Sequence, residues 1–237
     1  MKSTFYLMLL IFFMGTHTHL LAKLSFKNPD EMLTYVKQYL PENPVILEAG
    51  GHFGEDTIRM KSVWPNAIMH VFEPLPSSFN TMLETLQNIS DVHCYPYALS
   101  TYSGFTDFYI NTENYGASSI NPPVNWNKKE FTKVLRKIPC ITLDEWAKQY
   151  GIDHIDFMWL DMEGHELHAL RHGADILKTV KAIYTEISYI PVRVHSGLFY
   201  ELKALLAVHG LTDVWRESYV IVRYSDALFI KEDLLNR

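Results

Sequence analysis

The stretch VILEAGGHFG at residues 45–54 decides the fold, because it joins a short strand to a glycine-rich turn. Its first residues are typical of a buried strand, and a helix is predicted to begin at Gly54. Glycines in such a turn let the backbone approach a ligand, to which the helix offers free N–H groups. The stretch fits a loose E-x-G-x-x-x-G pattern through Glu48, Gly50 and Gly54, and it departs from the dinucleotide-binding pattern G-x-G-x-x-G at Ala49.

Strands and helices alternate on both sides of this turn. The sequence predicts strands at residues 45–48, 68–72, 92–97, 106–110, 138–143, 156–160, 182–187, 211–215 and 219–230. It predicts helices at residues 30–40, 54–60, 77–87, 144–150, 166–177 and 198–209, and a long loop at 111–127. This order indicates an α/β fold with an open, mostly parallel sheet, which binds ligands beyond the carboxyl ends of its strands.

Acidic side chains follow two of these strands. Glu73 ends the second strand, about 20 residues after the glycine turn, where a carboxylate can accept hydrogen bonds from both hydroxyls of a ribose. Asp161, Glu163 and Glu166 converge at a later strand-to-helix turn. Neighbouring carboxylates raise one another's pKa, so this turn suits a proton acceptor, and it could also hold a cation.

Histidines and cysteines are the other candidate metal ligands. His165, His168 and His172 share part of one predicted helical face, a pattern typical of a solvated polar surface that could also hold a metal ion. Cys94 and Cys140 lack zinc-finger spacing, and we interpret them as buried, reduced thiols. The sequence therefore predicts no metal centre.

The composition excludes several classes of protein. The chain has 237 residues, of which 48% are hydrophobic and 20% are charged, which is enough for a substantial core and excludes a disordered chain. Its net charge of −6 argues against a protein that binds nucleic acid through bulk positive charge.

Residues 1–22 differ from the rest of the chain. They contain one charged side chain, Lys2, and an unbroken apolar run at residues 5–14, FYLMLLIFFM. The run is too short to cross a bilayer as a helix, and its length is typical of the core of a signal peptide or of an anchor. A hydrophobic helix that packs on the domain or lies at a membrane surface is the alternative. Residues 23–237 are predicted to form a single domain.

Seven motifs occur in the order and spacing of one family, and the chain resembles the FkbM-type S-adenosylmethionine-dependent methyltransferases. The motifs lie at residues 45–54, 71–74, 97–100, 115–120, 141–145, 155–166 and 182–186, and the resemblance is clearest over residues 43–190. Glu48 stands where the family usually has aspartate, and Gly51 and His52 stand where alanine and asparagine are common.

The resemblance implies a Rossmann-like class I methyltransferase fold. Its seven-stranded sheet would be mostly parallel, with helices on both faces and an antiparallel last strand. It implies S-adenosylmethionine as the cofactor and methylation of a hydroxyl on a small molecule or a sugar, with no nucleic acid partner.

The resemblance also implies roles for individual residues. The cofactor-binding residues would be Glu48, Gly50, Gly51, His52, Gly54, Glu73, Ala98 and Asp161. Asp161 would be the catalytic base or the residue that orients it, supported by Glu163 and Glu186, although Glu186 could instead cap a helix. Tyr115, Ser118 and Ser119 would bind the acceptor from a lid formed by the loop at 111–127, for which the alternative is an ordinary surface loop.

Two other functions are compatible with parts of the sequence. A nicotinamide-binding oxidoreductase would share the glycine turn and Glu73, but it would leave the motifs at 115–120 and 161–166 unexplained. A non-catalytic binding protein of the same fold would explain an exported leader, because S-adenosylmethionine is made inside cells. The location therefore stays open between export, membrane association through residues 5–14, and the cytoplasm.

Overall fold

The structure is a computed structural model that describes residues 24–124, 133–217 and 223–236. The predicted leader at 1–22, Trp126 in the predicted loop, and the start of the last predicted strand lie outside the described residues. The leader and the location of the protein therefore stay predictions. Within the described residues, no helix is long and apolar enough to span a membrane.

The described residues form ten strands and eight α-helices. The strands are β1 (Val45–Ala49), β2 (Ile68–Phe72), β3 (Val92–Tyr95), β4 (Ala98–Leu99), β5 (Gly104–Ile110), β6 (Lys133–Ile141), β7 (Phe157–Leu160), β8 (Ala182–Ser188), β9 (Leu211–Arg216) and β10 (Tyr224–Lys231). The α-helices are α1 (Pro29–Val36), α2 (Glu55–Val63), α3 (Pro76–Leu86), α4 (Leu143–Tyr150), α5 (Glu166–Leu170), α6 (Ala174–Leu177), α7 (Phe199–Val208) and α8 (Glu232–Leu235). Two 3₁₀ helices span Lys37–Tyr39 and Tyr115–Ala117.

Seven strands form the main sheet, in the order β3-β2-β1-β7-β8-β10-β9. Strands β1, β2, β3, β7 and β8 pair in parallel, and β10 runs antiparallel to both β8 and β9. The predicted α/β fold, with a mostly parallel sheet and an antiparallel last strand, is confirmed. The order reverses at β1, so the carboxyl ends of β1, β2 and β7 lie side by side at the place where such sheets bind ligands.

The apolar runs of the central strands arise because both faces of the sheet are covered. All five residues of β1 are buried, as expected for a parallel strand between two layers of helices. Ile46 packs with Phe157 in one core and Leu47 packs with Met158 in the other. The cores lie on opposite faces because neighbouring residues of a strand point to opposite sides of the sheet.

A smaller sheet, in the order β4-β6-β5, stands beside the main one. The strand predicted at 92–97 is β3 and ends at Tyr95, because Pro96 has no N–H group to continue the ladder, and the separate strand β4 follows at Ala98. The strands predicted at 106–110 and 138–143 belong to this second sheet, as parts of β5 and β6. Leu75, Phe108 and Ile138 are buried together where the second sheet meets the start of α3.

Two predicted helices are shorter than expected. The helix predicted at 30–40 ends at Val36 and continues as the 3₁₀ helix Lys37–Tyr39. The helix predicted at 166–177 breaks into α5 and α6 at Gly173. A Cβ atom at Gly173 would lie 2.3 Å from the Leu143 side chain, so close packing against α4 requires glycine there.

Candidate active site

A cavity of about 380 Å³ opens at the carboxyl ends of β1, β2 and β7. The turns after these strands form one side, and the second sheet and residues 111–120 form the other. Ten of the thirteen predicted site residues line it, namely Glu48, Gly50, Gly51, His52, Glu73, Ala98, Tyr115, Ser118, Asp161 and Glu163. The other three, Gly54, Ser119 and Glu186, are not in the cavity wall.

The glycine turn is held tightly between its neighbours. The N–H groups of Gly50 and Gly51 both donate to the Phe72 carbonyl, at 3.0 and 2.9 Å. Gly50 has a φ of +94°, and a Cβ atom there would lie 1.9 Å from the Asp161 carbonyl oxygen. Gly54, with a φ of +91°, precedes α2 and shapes the turn from behind the cavity wall. These backbone contacts leave no room for a side chain at Gly50.

Glu73 is fixed directly behind this turn. One of its carboxylate oxygens accepts from the N–H of His52 at 2.9 Å, and the other accepts from the N–H of Leu75 at 2.7 Å. Burial raises the pKa of Glu73 to about 7, although both N–H donors oppose this effect. The carboxyl can therefore change its charge near neutral pH when new hydrogen-bond donors approach it.

Two further side chains complete this end of the cavity. Glu48 is buried, accepts a hydrogen bond from the Thr57 hydroxyl, and has a raised pKa because of its burial. His52 adopts a φ of +44°, and its ring stacks on Phe53 with 3.7 Å between ring centroids. Its Nδ1 atom lies 3.4 Å from a carboxylate oxygen of Glu55. Glu48 and His52 thus lie at the same end of the cavity as the glycine turn.

Asp161 directly follows β7 and lies beside the glycine turn. Its N–H donates to the Ala49 carbonyl at 2.9 Å, which fixes its position relative to the glycine turn. Surrounding protein atoms and the nearby Glu163 and Glu166 carboxylates raise the pKa of Asp161 above its usual range. The side chain remains accessible to solvent, so water that enters the cavity screens part of this effect.

The other carboxyl groups of this turn have different surroundings. Glu163 has a φ of +55° and forms an ion pair with Arg193 at 2.6 Å. Glu166 is buried and closes the turn, because one of its oxygens accepts from the N–H groups of Met162 and Gly164 at 2.7 and 3.3 Å. Burial raises the pKa of Glu166 to about 7.

Glu186 lies outside the cavity wall, on β8. It pairs in register with Asp226 of β10, and its side chain is half-buried. Burial, followed by the charges of Glu166, Glu163 and Asp161, raises the pKa of Glu186 to about 10. This position makes Glu186 a neighbour of the carboxyl cluster and gives it no direct access to the cavity.

The predicted lid residues divide into two groups. Tyr115 is partly exposed at the cavity mouth, and the hydroxyl of buried Ser118 accepts from the N–H of Asn111 at 3.1 Å. The hydroxyl of Ser119 instead donates to the carbonyls of Met162 and Glu163, at 3.3 and 3.1 Å. Ser119 therefore anchors the lid to the Asp161 turn.

The sequence assigned no binding or catalytic role to three residues at or beside the cavity. His165 lines the cavity, and its Nδ1 atom lies 3.0 Å from Oδ1 of Asn121, whose amide nitrogen donates to the Gly164 carbonyl. Arg193 reaches the site from the segment after β8. Asn121 and Arg193 carry no local motif, and His165 was considered only as a metal ligand. In the part of the chain that the structure describes, no three His, Cys, Asp or Glu side chains could hold a metal ion together.

Comparison with known proteins identifies the family. Residues 48–211 match the Methyltransferase FkbM domain. The chain belongs to this family. This FkbM-type chain is 28% identical over 155 residues to the 2-O-methyltransferase NoeI of Sinorhizobium fredii, a match that covers 62% of this chain and 64% of that protein. It is 26% identical over 164 residues to the methyltransferase sdnD of Sordaria araneosa, covering 57% and 62% of the two chains. The FkbM-type chain thus spans about six tenths of the length of these curated relatives.

Solved structures share its fold at low sequence identity. A Klebsiella pneumoniae protein described as a candidate O-methyltransferase has a TM-score of 0.51 and 13% identity, covering 89% of this chain and 82% of that one. The N-terminal domain of EvdMO1, solved with S-adenosylhomocysteine (SAH) bound, has a TM-score of 0.50 and 11% identity, covering 92% and 85%. These likenesses confirm the class I methyltransferase fold predicted for the FkbM-type chain.

Proposed function

We propose that the protein transfers a methyl group from S-adenosylmethionine to a hydroxyl of a small molecule or a sugar. The observation that carries this proposal is one cavity that is lined by the glycine turn, the Glu73 carboxyl group and Asp161. Family membership supports methyl transfer, the 2-O-methyltransferase relative supports an oxygen acceptor, and the SAH-bound relative supports the cofactor.

The residues present fit S-adenosylmethionine. Glu73 would accept hydrogen bonds from the two ribose hydroxyls, and the bare backbone at Gly50 and Gly51 would contact the ribose and methionine portions. Ala98 would lie beside the adenine, and Glu48 would lie near the methionine portion. When bound, this cofactor supplies an electrophilic methyl group on a cationic sulfur that leaves as a neutral thioether. The many carboxyl groups of the cavity suit a cationic ligand.

The chain itself has two tasks in this reaction. It must hold the acceptor oxygen in line with the methyl group, and alignment of this kind is worth about 7–11 kcal/mol in favourable cases. It must also take a proton from the hydroxyl as the oxygen attacks. Asp161 would accept that proton, because it lines the cavity and because its neighbours favour the protonated form. Glu163 would support Asp161 through its charge, whereas Glu186, with a pKa raised to about 10, would lie beside the carboxyl cluster in its protonated form.

Calorimetry of the whole chain tests the cofactor assignment. We expect SAH to bind at one site with a Kd between about 1 μM and 1 mM, the range typical of enzyme substrates. NADH is the matched control, and it should give no binding because Ala49 interrupts the dinucleotide pattern. Absence of SAH binding to well-folded protein, or tight binding of NADH, would contradict the proposal.

The charge of Glu73 gives a second test, which depends on pH. Free Glu73 is mostly protonated at pH 6, because burial raises its pKa to about 7. Ribose hydroxyls would donate to the ionised carboxylate, so SAH binding at pH 6 should release about one proton, and release should disappear well above pH 7. Titrations in buffers of different ionisation enthalpy measure this number.

The Glu73→Gln variant should release no proton and bind SAH about 10–100-fold more weakly, as expected from loss of hydrogen bonds to a charged group. Glu55→Gln is the matched control, because Glu55 lines the same cavity and its side chain is largely exposed. Equal proton release by wild type and Glu73→Gln would contradict the role of Glu73.

A further inference from the structure

The segment between β8 and α7 contacts both the predicted lid and the turn that carries Asp161. It contains Arg193, a charged residue whose exposed fraction is only 5%. A buried charge is costly unless it is paired and hydrogen-bonded. The mechanism outlined above does not use this residue, so its burial requires a separate explanation.

Arg193 joins the lid to the Asp161 turn through a single nitrogen. Its Nη2 atom donates to a carboxylate oxygen of Glu163 at 2.6 Å and to the Ala117 carbonyl at 2.6 Å. Glu163 follows Asp161 by two residues, and Ala117 lies in the 3₁₀ helix of the lid. One guanidinium group therefore links the candidate catalytic turn to the predicted lid.

The backbone around Arg193 fixes the position of this guanidinium from both sides. The N–H of Val194 donates to the Pro122 carbonyl at 2.8 Å, and the N–H of Gly197 donates to the Gly164 carbonyl at 3.1 Å. Ser196 closes the turn between them, because its hydroxyl donates to the Arg193 carbonyl at 2.8 Å. The segment is thus attached to the lid at one end and to the Asp161 turn at the other.

We infer that Arg193 is a positioning residue that holds residues 115–119 of the predicted lid against the Asp161 turn and fixes the Glu163 carboxylate in an ion pair. The inference rests on the proposed function, which makes Asp161 the proposed base. The contacts of Arg193 themselves do not depend on that function. The ion pair with the guanidinium, at 2.6 Å, occupies a carboxylate oxygen of Glu163 and holds this side chain toward Arg193. Of the two carboxyl groups that line the cavity at this turn, Asp161 is then the better placed to take a proton.

Hydrogen exchange of the whole chain measures the lid directly. Arg193→Met removes both contacts while keeping an unbranched side chain, and we expect amide exchange at residues 115–119 to rise about tenfold or more, the effect of losing hydrogen bonds to a charged group. Exchange in α4, which is remote from the lid, should stay unchanged. Arg193→Lys keeps a positive charge without the planar fork, so it should recover part of the protection.

Two further variants sharpen the test. Arg171→Met makes the same change in charge at an exposed pair with Glu201, where the two charged groups are 3.6 Å apart, and lid exchange should stay at the wild-type rate. Glu163→Gln keeps the Ala117 contact and removes the charge partner, so its effect should be intermediate. If Arg193→Met does not fold, Glu163→Gln and Arg193→Lys carry the same comparison.

SAH binding separates this inference from the proposed function. Arg193 contacts the lid and the Asp161 turn, so the folded Arg193 variants should bind SAH within about twofold of the wild-type Kd, while lid exchange rises. Wild-type protein that binds no SAH would overturn the proposed function, and lid exchange would still test Arg193. Lid exchange that stays at the wild-type rate in all folded variants of Arg193 and Glu163 would overturn the inference.

Discussion

Replacement of Gly50 by alanine should lower turnover at least about 100-fold, the effect of displacing reacting groups by about 1 Å. The new Cβ atom would lie 1.9 Å from the Asp161 carbonyl oxygen, and backbone atoms cannot rotate out of the way as a flexible side chain can. The turn that carries Asp161 must therefore move away from the turn that follows β1. Since the proposed cofactor site and the proposed base lie on these two turns, SAH binding and methyl transfer should fail together.

A matched control separates this collision from backbone strain. Gly151 also has a positive φ, of +68°, and nothing lies within 4 Å of the place where its Cβ atom would stand. Alanine at Gly151 should cost only about 1–2 kcal/mol of stability, the penalty of a left-handed conformation, and SAH binding should survive. Thermal unfolding and calorimetry of both variants measure the difference. Equal SAH affinity in the two variants would contradict the importance of the contact between the turns.

Asp161→Asn is the second change from which we expect a large effect. The amide has the shape of the carboxyl group and cannot accept the proton, so turnover should fall by about 10²–10⁴-fold, the usual contribution of a positioned base. SAH affinity should change little, because Glu73, the proposed ribose ligand, follows a different strand, β2. Methyl transfer measured with a labelled cofactor, over a range of sugars and hydroxylated small molecules, would supply the rates.

Stability distinguishes loss of the base from loss of the fold. A folded-state pKa above the unfolded value means that Asp161 destabilises the protein increasingly as pH rises through that interval. Asp161→Asn removes this cost, so its melting temperature should equal or exceed that of the wild type, and the difference should grow with pH. Asp153→Asn, at a largely exposed side chain, is the control for an ordinary surface change. Near-normal turnover by a well-folded Asp161→Asn variant would exclude Asp161 as the base.

The strands of the main sheet could be predicted because each is specified by a short run of neighbouring residues. The buried strands β1, β2, β7 and β8 are short apolar runs, and the polar residues that follow them are brought to one edge by parallel topology alone. The sequence alone therefore assigns Glu73 and Asp161 to one cavity.

The second sheet and the break between α5 and α6 depend on distant contacts. The helical pattern is interrupted at Gly173, where Leu143, thirty positions away in the sequence, occupies the space that a side chain would need. Arg193 and Asn121 were missed for the same reason: each acts through partners far along the chain, and neither has a motif of its own. Glu186 is the opposite case. The family resemblance assigned it to the site, but its side chain does not line the cavity.

The division of the cavity between two sheets has a consequence for engineering. The side proposed to bind the methyl donor is built from turns of the main sheet whose backbones touch, and no side chain fits at Gly50. The side proposed to bind the acceptor is built from residues 108–120, whose cavity-lining side chains lie outside the two cores of the main sheet. Mutational libraries confined to Tyr115, Ser118 and Ile120 should therefore redirect the chain toward new acceptors while its affinity for the methyl donor is preserved.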